Sequence, residues 1–218
     1  LYVADKKHIL LNGVKVKTLS INPAKILISV ALSEAGEFDY EIKGDKSPIK
    51  SGREKTNANG FSEFEVELKN AELWSEETPR LYELSVKFCD DVFKTNFGVR
   101  TLSLSAKRGF EINGKRVILR GACIHHDNGI LGARGIKEAE ERKIDLLKKC
   151  GYNAIRSAHN PCSKFILDYC DKVGMLVLDE YSDMWYIHKT RFDYASELEK
   201  EYPADIRDMV EKDYNHPC

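Results

Sequence analysis

Three short apolar runs, each followed at once by a cluster of polar residues, lie between residues 116 and 180. The runs span residues 117–124, 153–158 and 175–178, and segments with helical spacing of apolar side chains separate them. This alternation predicts a parallel α/β sheet built from βα units. Such sheets carry their ligand sites at the carboxyl ends of the strands. We therefore expect one shared polar edge formed by these side chains: His125, His126, Asp127, His159, Asn160, Asp179 and Glu180.

The first two helices of these units have clear boundary signals. Residues 137–150 carry acidic side chains early and lysines late, as the helix dipole favours, and Gly151 follows as the C-terminal glycine. Asn160 is expected to cap the second helix, with Pro161 at its first position. Gly174 is expected to end that helix.

The third unit is less regular. Residues 175–178 form a short, continuous apolar run, which predicts a strand that is buried on both faces. Residues 181–202 are rich in aromatic side chains and predict an irregular loop over the sheet edge. A helix is predicted over residues 203–213, with an apolar face directed inward. That face consists of Ile206, Met209 and Val210.

The first hundred residues show a different pattern of apolar residues. Short runs of alternating apolar residues, such as 26–32, 37–42 and 61–68, are separated by clusters of Gly, Asn, Ser and Asp. This pattern predicts antiparallel hairpins assembled into a β-sandwich of immunoglobulin type. Near its end, Trp74 and the Pro79 turn are expected to pack a corner of the sandwich. A further hairpin is predicted at residues 113–114, because Asn-Gly suits a type I′ turn.

Composition narrows the choice of partners and compartment. The 218 residues have a net charge of −1, so nothing indicates binding to nucleic acid, and no apolar run approaches the roughly 20 residues of a membrane span. Residues 1–8 lack the apolar core of a signal peptide. None of the six cysteines forms a CxxC pair, and Cys123, Cys150 and Cys170 are expected to be small buried hydrophobes. Unpaired cysteines favour a cytoplasmic over a periplasmic location.

Several motifs, in this order and spacing, resemble glycoside hydrolase family 2, the family of β-galactosidases, β-glucuronidases and β-mannosidases. They are Trp74 with residues 79–82, Phe97-Gly98-Val99-Arg100, residues 110–115, residues 119–121, His125-His126-Asp127, residues 153–161, residues 170–180 and Asn215-His216-Pro217. His125-His126-Asp127 stands where the family usually has Arg-His-Glu. Together with Asp183-Met184-Trp185, it looks most like a bacterial branch labelled β-galactosidase-like.

The resemblance implies a multi-domain chain. Residues 1–105 would form an immunoglobulin-like β-sandwich. Residues 106–218 would form the first three βα units of a catalytic (β/α)₈, or TIM-type, barrel that is truncated before strand 4. Family members are retaining glycosidases that use a carboxylic acid and a carboxylate nucleophile. The resemblance places both beyond residue 218, so the chain is expected to be a fragment that is inactive alone.

The resemblance also implies supporting roles within the chain. His125 and His159 would bind sugar hydroxyls, Asn160 and Arg156 would orient them, and Trp185 would stack on a sugar face. His126, Asp127, Asp179 and Glu180 would support the site. Carbohydrate is the expected partner, without nucleic acid or membrane, and the incomplete barrel predicts self-association. No cofactor is expected within the fragment, while a divalent or monovalent cation in the full enzyme is left open.

Two alternatives remain at this point. His125, Asp127, His159 and Asp179 are side chains that suit Zn²⁺ or Fe²⁺, which would make the chain a metal-dependent hydrolase. The sandwich alone would otherwise serve as a non-catalytic carbohydrate- or partner-binding module, although residues 1–70 show no obvious aromatic platform.

Overall fold

The computed structural model describes residues 3–44 and 48–218. It divides into two compact units. The first runs to Val117 and also includes Tyr214–Pro217, and the second comprises Ile118–Asp213 with Cys218. The division between the two units thus lies after Val117. In the sequence, the change from strand-like runs to alternating strands and helices lies near residue 105.

The first unit is an antiparallel β-sandwich. Its main strands are β1 (Ile9–Ile21), β2 (Ala24–Leu32), β3 (Glu37–Lys43), β4 (Pro48–Lys55), β5 (Phe61–Glu67), β6 (Tyr82–Phe88) and β7 (Asp91–Phe97). One sheet has the order β1-β2-β5, and the other has the order β4-β3-β6-β7. Buried residues of both sheets form a single apolar cluster. The predicted sandwich is therefore confirmed.

Strict alternation of side chains explains this core. Along β2, every second residue from Ala24 to Leu32 is buried, and the residues between them are half-buried. On β6, Tyr82, Leu84 and Val86 are buried in the same way. Because successive side chains of a strand point to opposite faces, one face of each strand supplies the core.

A small sheet follows the sandwich, formed by β8 (Leu102–Ser105), β9 (Gly109–Ile112) and β10 (Lys115–Arg116) in the order β10-β9-β8. Asn113 and Gly114 join β9 to β10 with φ values of 52° and 76°, which confirms the predicted turn. The Asn113 side chain donates to the Trp74 carbonyl at 3.0 Å. Trp74 is completely buried, in agreement with a packing role.

The Asn-His-Pro motif belongs structurally to the sandwich. Asn215 accepts a hydrogen bond from the Val16 amide at 2.8 Å and donates to the Val14 carbonyl at 2.9 Å. Its amide therefore fastens residues 214–217 to β1. Pro217 packs beside Trp74 over Gly98, where an added Cβ would lie within 3 Å of both side chains.

The second unit contains three parallel βα units, as predicted. They are β11 (Gly121–Ile124) with α1 (Lys137–Lys149), β12 (Ala154–Ser157) with α2 (Lys164–Val173), and β13 (Leu176–Leu178) with α3 (Ala195–Asp213). The sheet order is β11-β12-β13, and both pairings are parallel. A short 3₁₀ turn, Gly129–Leu131, lies between β11 and α1. Ile144, Ile155, Ile166 and Met175 are central members of the apolar core.

Several boundaries differ from the predictions. The first parallel strand begins at Gly121 and not at residue 117. Ser163, and not Asn160, caps α2, because its hydroxyl accepts the Ile166 amide at 3.3 Å. Gly174 adopts the left-handed conformation and ends α2, as predicted. The third strand is not buried on both faces, since Leu178 is exposed.

Helix α3 begins at Ala195, well before the predicted start. Pro203 lies inside the helix and does not initiate it. Asp193 supplies the N-terminal hydrogen bond instead, since its Oδ1 accepts the Ala195 amide at 3.0 Å. Ile206 and Val210 are exposed and Met209 is half-buried, so the predicted inward face is wrong. The buried residues of α3 are Ala195 and Leu198.

The cysteines are all free, but their environments differ. Cys170 is buried as predicted, whereas Cys123 and Cys150 are exposed, contrary to the prediction. Burial raises the pKa of the Cys162 thiol to about 12. In the part of the chain that the structure describes, no helix has both the length and the apolar character required to cross a membrane.

Candidate functional site

The polar edge predicted at the strand ends is present. In the parallel register, Cys123 of β11 lies beside Arg156 of β12, and Arg156 lies beside Leu178 of β13. The residues that follow the three strands therefore emerge next to one another. This geometry brings His125, His159 and Glu180 to one side of the second unit.

Glu180 is the centre of this edge. Its Oε1 accepts a hydrogen bond from Arg156 Nη2, and its Oε2 lies 3.2 Å from His159 Nδ1. Both carboxylate oxygens thus have a hydrogen-bonding partner. One partner lies on β12 and the other in the residues that follow it. All three side chains remain partly accessible to solvent. The bridge fixes their orientation without closing the edge to a ligand.

Arg156 also reaches the first strand. Its Nη1 donates to Cys123 Sγ at 3.3 Å. The hydrogen bond to Cys123 and the ion pair with Glu180 raise the pKa of Arg156, so the guanidinium stays charged. A row of contacts, Cys123 to Arg156 to Glu180, therefore crosses all three strands. This row keeps a fixed cation at the middle of the edge.

The two histidines of the edge lie close together. The ring centroids of His125 and His159 are 5.3 Å apart, with an angle of 71° between the ring planes. The peptide bond between Ala158 and His159 is cis. The His125 ring is exposed, while its carbonyl accepts from the Asp127 amide at 2.8 Å and from Lys143 Nζ at 3.3 Å. The two imidazole rings thus lie in the same region, and imidazole nitrogens can donate or accept hydrogen bonds.

Asp179 turns away from this edge. Its Oδ1 accepts the amides of Cys162 at 2.8 Å and Glu180 at 3.1 Å. Its Oδ2 is buried near Asp213, and burial followed by the negative charge of Asp213 raises the pKa of Asp179. Two carboxyl groups can share a hydrogen bond only when one of them is protonated and donates. While Asp179 and Asp213 are both ionised, their Oδ2 atoms therefore have no hydrogen-bond partner. Asp179 therefore positions the backbone of Glu180.

The remaining predicted site residues lie around the edge. Asp127 Oδ1 accepts the Gly129 amide at 2.9 Å and shapes the loop after β11. The Asn160 carbonyl accepts the Ser157 hydroxyl at 2.7 Å, and its side chain is exposed. His126 is half-buried. Trp185 is exposed on the loop that follows Glu180.

The metal-hydrolase alternative has no geometric support. Across residues 3–44 and 48–218, no group of three or more His, Cys, Asp or Glu side chains is arranged to hold a metal ion. His125 and His159 lie together, but Asp127 and Asp179 are committed to backbone amides elsewhere. The four residues of that alternative do not form a common site.

Two partners in this region were not predicted from the sequence. Cys123 binds Arg156, and a parallel register between the first two strands would have indicated this neighbour. Asp213 approaches Asp179 from the end of α3, far along the chain. No sequence signal reports that contact, because it depends on how α3 packs.

Two family models match the chain. The model described as "Glycosyl hydrolases family 2, TIM barrel domain" matches residues 105–218, and the model described as "Glycosyl hydrolases family 2" matches residues 9–100. The two matched regions correspond to the α/β part and the sandwich. Together they account for nearly all of the chain.

Individual relatives agree with these models. A β-galactosidase from Bacteroides ovatus is 36 % identical over 94 % of this chain, and a putative β-glucuronidase from Formosa agariphila is 34 % identical over 96 %. The aligned regions cover 26 % and 21 % of those proteins, so the chain spans about a quarter of their length or less. A solved glycosyl hydrolase family 2 member from Bacteroides cellulosilyticus matches 98 % of this chain and 30 % of its own, with 35 % identity and a TM-score of 0.86.

Proposed function

We propose that this chain, which belongs to glycosyl hydrolases family 2, is part of an O-glycosidase of β-galactosidase type. We also propose that its polar edge binds the sugar. The observation that carries this proposal is the bridge from Glu180 to Arg156 and His159, with His125 beside it. A fixed cation, a carboxylate and two imidazoles offer donors and acceptors that match vicinal hydroxyl groups.

Each residue of the edge has a proposed role. His125 and His159 bind sugar hydroxyls, Asn160 extends the hydrogen-bonding rim, and Arg156 holds Glu180. Trp185 stacks on an apolar face of the sugar, as exposed indole rings do with such faces. Three further residues support the site through the backbone and the first loop: His126, Asp127 and Asp179. We also propose residues 1–105 as the immunoglobulin-like domain and residues 106–218 as the first part of the barrel.

Glu180 is not proposed as a proton donor or nucleophile. Both of its oxygens already serve Arg156 and His159. A retaining glycosidase needs two carboxyl groups about 5–5.5 Å apart, one of them free to give up a proton. Asp179 does not fill that role, because it is committed to two backbone amides. We therefore propose that the 218-residue polypeptide binds sugar without hydrolysing glycosides.

The imidazole signals of the six histidines provide the test. In two-dimensional NMR spectra of the 218-residue chain, a titration with galactose is expected to shift the ring signals of His125 and His159 saturably. His8 and His216 belong to the sandwich unit and serve as internal controls. A parallel titration with glucuronic acid ranks the two sugar types.

Two results would overturn the proposal. The first is that neither galactose nor glucuronic acid shifts the ring signals of His125 and His159 at about 100 mM. That concentration is well above a millimolar dissociation constant, which corresponds to a binding free energy of roughly −4 kcal/mol. Alternatively, the chain alone would hydrolyse nitrophenyl β-galactoside, β-glucuronide or β-mannoside saturably, and Glu180→Gln would abolish the activity. The second result would assign the chemistry to Glu180.

We also infer that the isolated polypeptide associates with itself. The parallel sheet has β11 and β13 as its edge strands. Exposed apolar residues lie on or near both of them: Leu178 on β13 and Ile118 just before β11. Open strand edges with exposed apolar side chains favour pairing between chains. Light scattering is expected to show a mass that rises with concentration. A constant monomer mass at high concentration would contradict this inference.

A further inference from the structure

The sandwich unit contains a cavity beside the free edge of β1. Its volume is about 230 Å³, several times the roughly 30 Å³ that one water molecule occupies in the liquid. It is lined by residues 16–18 of β1, by residues between 97 and 102, and by residues 214–217. All of these belong to the first unit. The polar edge lies in the second unit, so the two places share no residue.

The charged side chains that line the cavity are all basic. Lys17 comes from β1, Arg100 from the segment after β7 and His216 from the Asn-His-Pro motif, and the described lining residues include no Asp or Glu. The whole chain has a net charge of −1, so this local excess of basic side chains does not follow from composition. A cleft lined by one sign of charge concentrates ions of the opposite sign.

The basic group of Arg100 is positioned by two contacts. Its backbone amide donates to Thr18 Oγ1 at 3.2 Å, and its guanidinium carbon lies 5.9 Å from the centroid of the Trp74 ring. Trp74 is completely buried and therefore forms a fixed platform. A guanidinium that stacks on an aromatic face keeps N–H donors along its rim. Positioning of this kind before a ligand arrives lowers the entropic cost of binding.

The free edge of β1 adds a backbone donor. β1 is an edge strand of its sheet, and the Val16 amide donates outward across that edge to Asn215 Oδ1 at 2.8 Å. Because successive amides of a strand point to alternate sides, the Thr18 amide points to the same side as that of Val16. Sheet edges that present amides in this way form concavities suited to anions.

The placement of the donors favours a tetrahedral anion. The basic side chains come from three separate segments around the cavity. A planar carboxylate has two oxygens in one plane, whereas phosphate has four oxygens that reach donors in several directions at once. Apolar side chains such as Phe97 and Pro217 complete the wall. Walls of low polarity strengthen the interaction between the charges that they surround.

We propose that this cavity binds a small tetrahedral oxyanion of the phosphate type between Lys17, Arg100 and His216. The anion joins β1 to residues 214–217, and it reinforces the two hydrogen bonds that Asn215 makes to the same strand. The inference is independent of the sugar site, because it uses no residue of the polar edge. A ligand that binds only the folded protein also stabilises it.

The imidazole signal of His216 tests the proposal. The 218-residue chain in phosphate-free buffer at pH 7 is titrated with sodium phosphate, and sodium chloride keeps the ionic strength constant. The His216 ring signals are expected to shift saturably, whereas His8 of the same unit is the internal control. Sodium sulfate is expected to bind as well, and sodium acetate at least about tenfold more weakly, because a planar anion does not reach all the donors.

Variants at one exposed position identify the site. Lys17→Gln removes a cation that lies on the surface of β1, and it is expected to weaken phosphate binding roughly tenfold. Lys17→Arg keeps the charge and is expected to retain most of the affinity. Lys69→Gln is the matched control, since Lys69 is an exposed lysine of the sandwich unit that does not line the cavity. Phosphate is also expected to slow amide exchange in residues 214–217 of the wild type.

Four results would overturn the proposal. Sodium chloride alone reproduces the His216 shift, which would reduce the effect to ionic screening. Phosphate leaves His216 unshifted, or shifts only His125 and His159 at the polar edge. Lys17→Gln and Lys69→Gln bind phosphate equally well. Acetate binds as tightly as phosphate, which would remove the preference for a tetrahedral ligand. The galactose titration of His125 and His159 is a separate measurement, so either proposal can fail without the other.

Discussion

Replacement of Asp179 by Asn is predicted to stabilise the protein at neutral pH. The Asp179 carboxylate accepts two backbone amides with Oδ1, while its buried Oδ2 lies near the carboxylate of Asp213. Asparagine keeps an oxygen for the amides and directs an NH₂ group toward Asp213. A repulsive contact is thereby replaced by a hydrogen bond to a charged acceptor.

The size of the effect follows from the burial of the pair. A hydrogen bond to a charged group contributes about 1.5–3 kcal/mol when it is well buried. Asp179 is only half-buried, and solvent screening reduces this gain to about 1 kcal/mol. For a protein of this length, that corresponds to a rise in Tm of roughly 2–4 °C.

The gain is predicted to depend on pH. Since the pKa of Asp179 in the folded state is raised above its ordinary value of 3.8, the folded state binds this proton more tightly than the unfolded state does. Ionisation of Asp179 therefore costs stability as the pH rises from 3.8 through the raised value. Below 3.8, the protonated wild-type carboxyl donates to Asp213 as the asparagine does, and the advantage of Asp179→Asn vanishes.

Calorimetric melting of the wild type and the Asp179→Asn variant between pH 4 and pH 8 measures this difference. Asp208→Asn, an exposed substitution on α3, the helix that carries Asp213, controls for the loss of one negative charge. A lower Tm for Asp179→Asn at pH 7 would refute the reasoning. So would a Tm difference that stays the same across the pH range, because the shared proton would then have no role.

Three further substitutions test other contacts. Asp193→Asn is expected to speed amide exchange in residues 181–194. The stabilising contribution of the wild-type Asp193 carboxylate is present above pH 3.8 and is lost as the pH falls toward its lowered pKa of about 2. Unchanged exchange at pH 7 would contradict this prediction. Gly98→Ala forces a Cβ to within 2.7 Å of Trp74 and should cost about 1–3 kcal/mol in urea unfolding, whereas Gly135→Ala, with open space around it, should be nearly neutral. Ser163→Ala removes the α2 cap and should cost about 1 kcal/mol in the same assay, and an unchanged midpoint would refute the capping role.

Much of the architecture follows from sequence periodicity. The alternation along β2 and β6 predicts a sandwich, and short apolar runs separated by helical segments predict three βα units. Both predictions are confirmed, because burial along a strand or helix imposes its period on the sequence. Asn113-Gly114 also predicts its turn correctly, since both positions have positive φ.

The errors concern choices that tertiary contacts decide. Asn160 and Ser163 are both good N-cap residues, and only the path of the chain selects Ser163. Pro203 suits the first turn of a helix, but the hydrogen bonds of Asp193 start α3 earlier. An apolar stripe such as Ile206 and Val210 indicates a potential packing face, and periodicity does not show what covers it.

The sequence predicts where the polar side chains of the candidate site meet, but not which contacts each of them makes. The strand-end rule brings His125, His159 and Glu180 together correctly. Neighbouring residues Asp179 and Glu180 look equivalent in the sequence, yet one serves backbone amides and the other bridges Arg156 and His159. Successive side chains at a strand end point in opposite directions, so the register and not the composition decides between them.

The affinity of the Glu180→Gln variant for galactose tests the central role of Glu180 most directly. The NMR signal of the His159 ring reports binding in the wild type, in Glu180→Gln and in Glu199→Gln, an exposed control on α3. We predict that Glu180→Gln weakens binding by at least about tenfold, or roughly 1.4 kcal/mol, because Arg156 and His159 lose the carboxylate that orients them. Glu199→Gln is expected to bind as the wild type does. Equal dissociation constants for all three proteins would contradict the assignment of the sugar site to this edge.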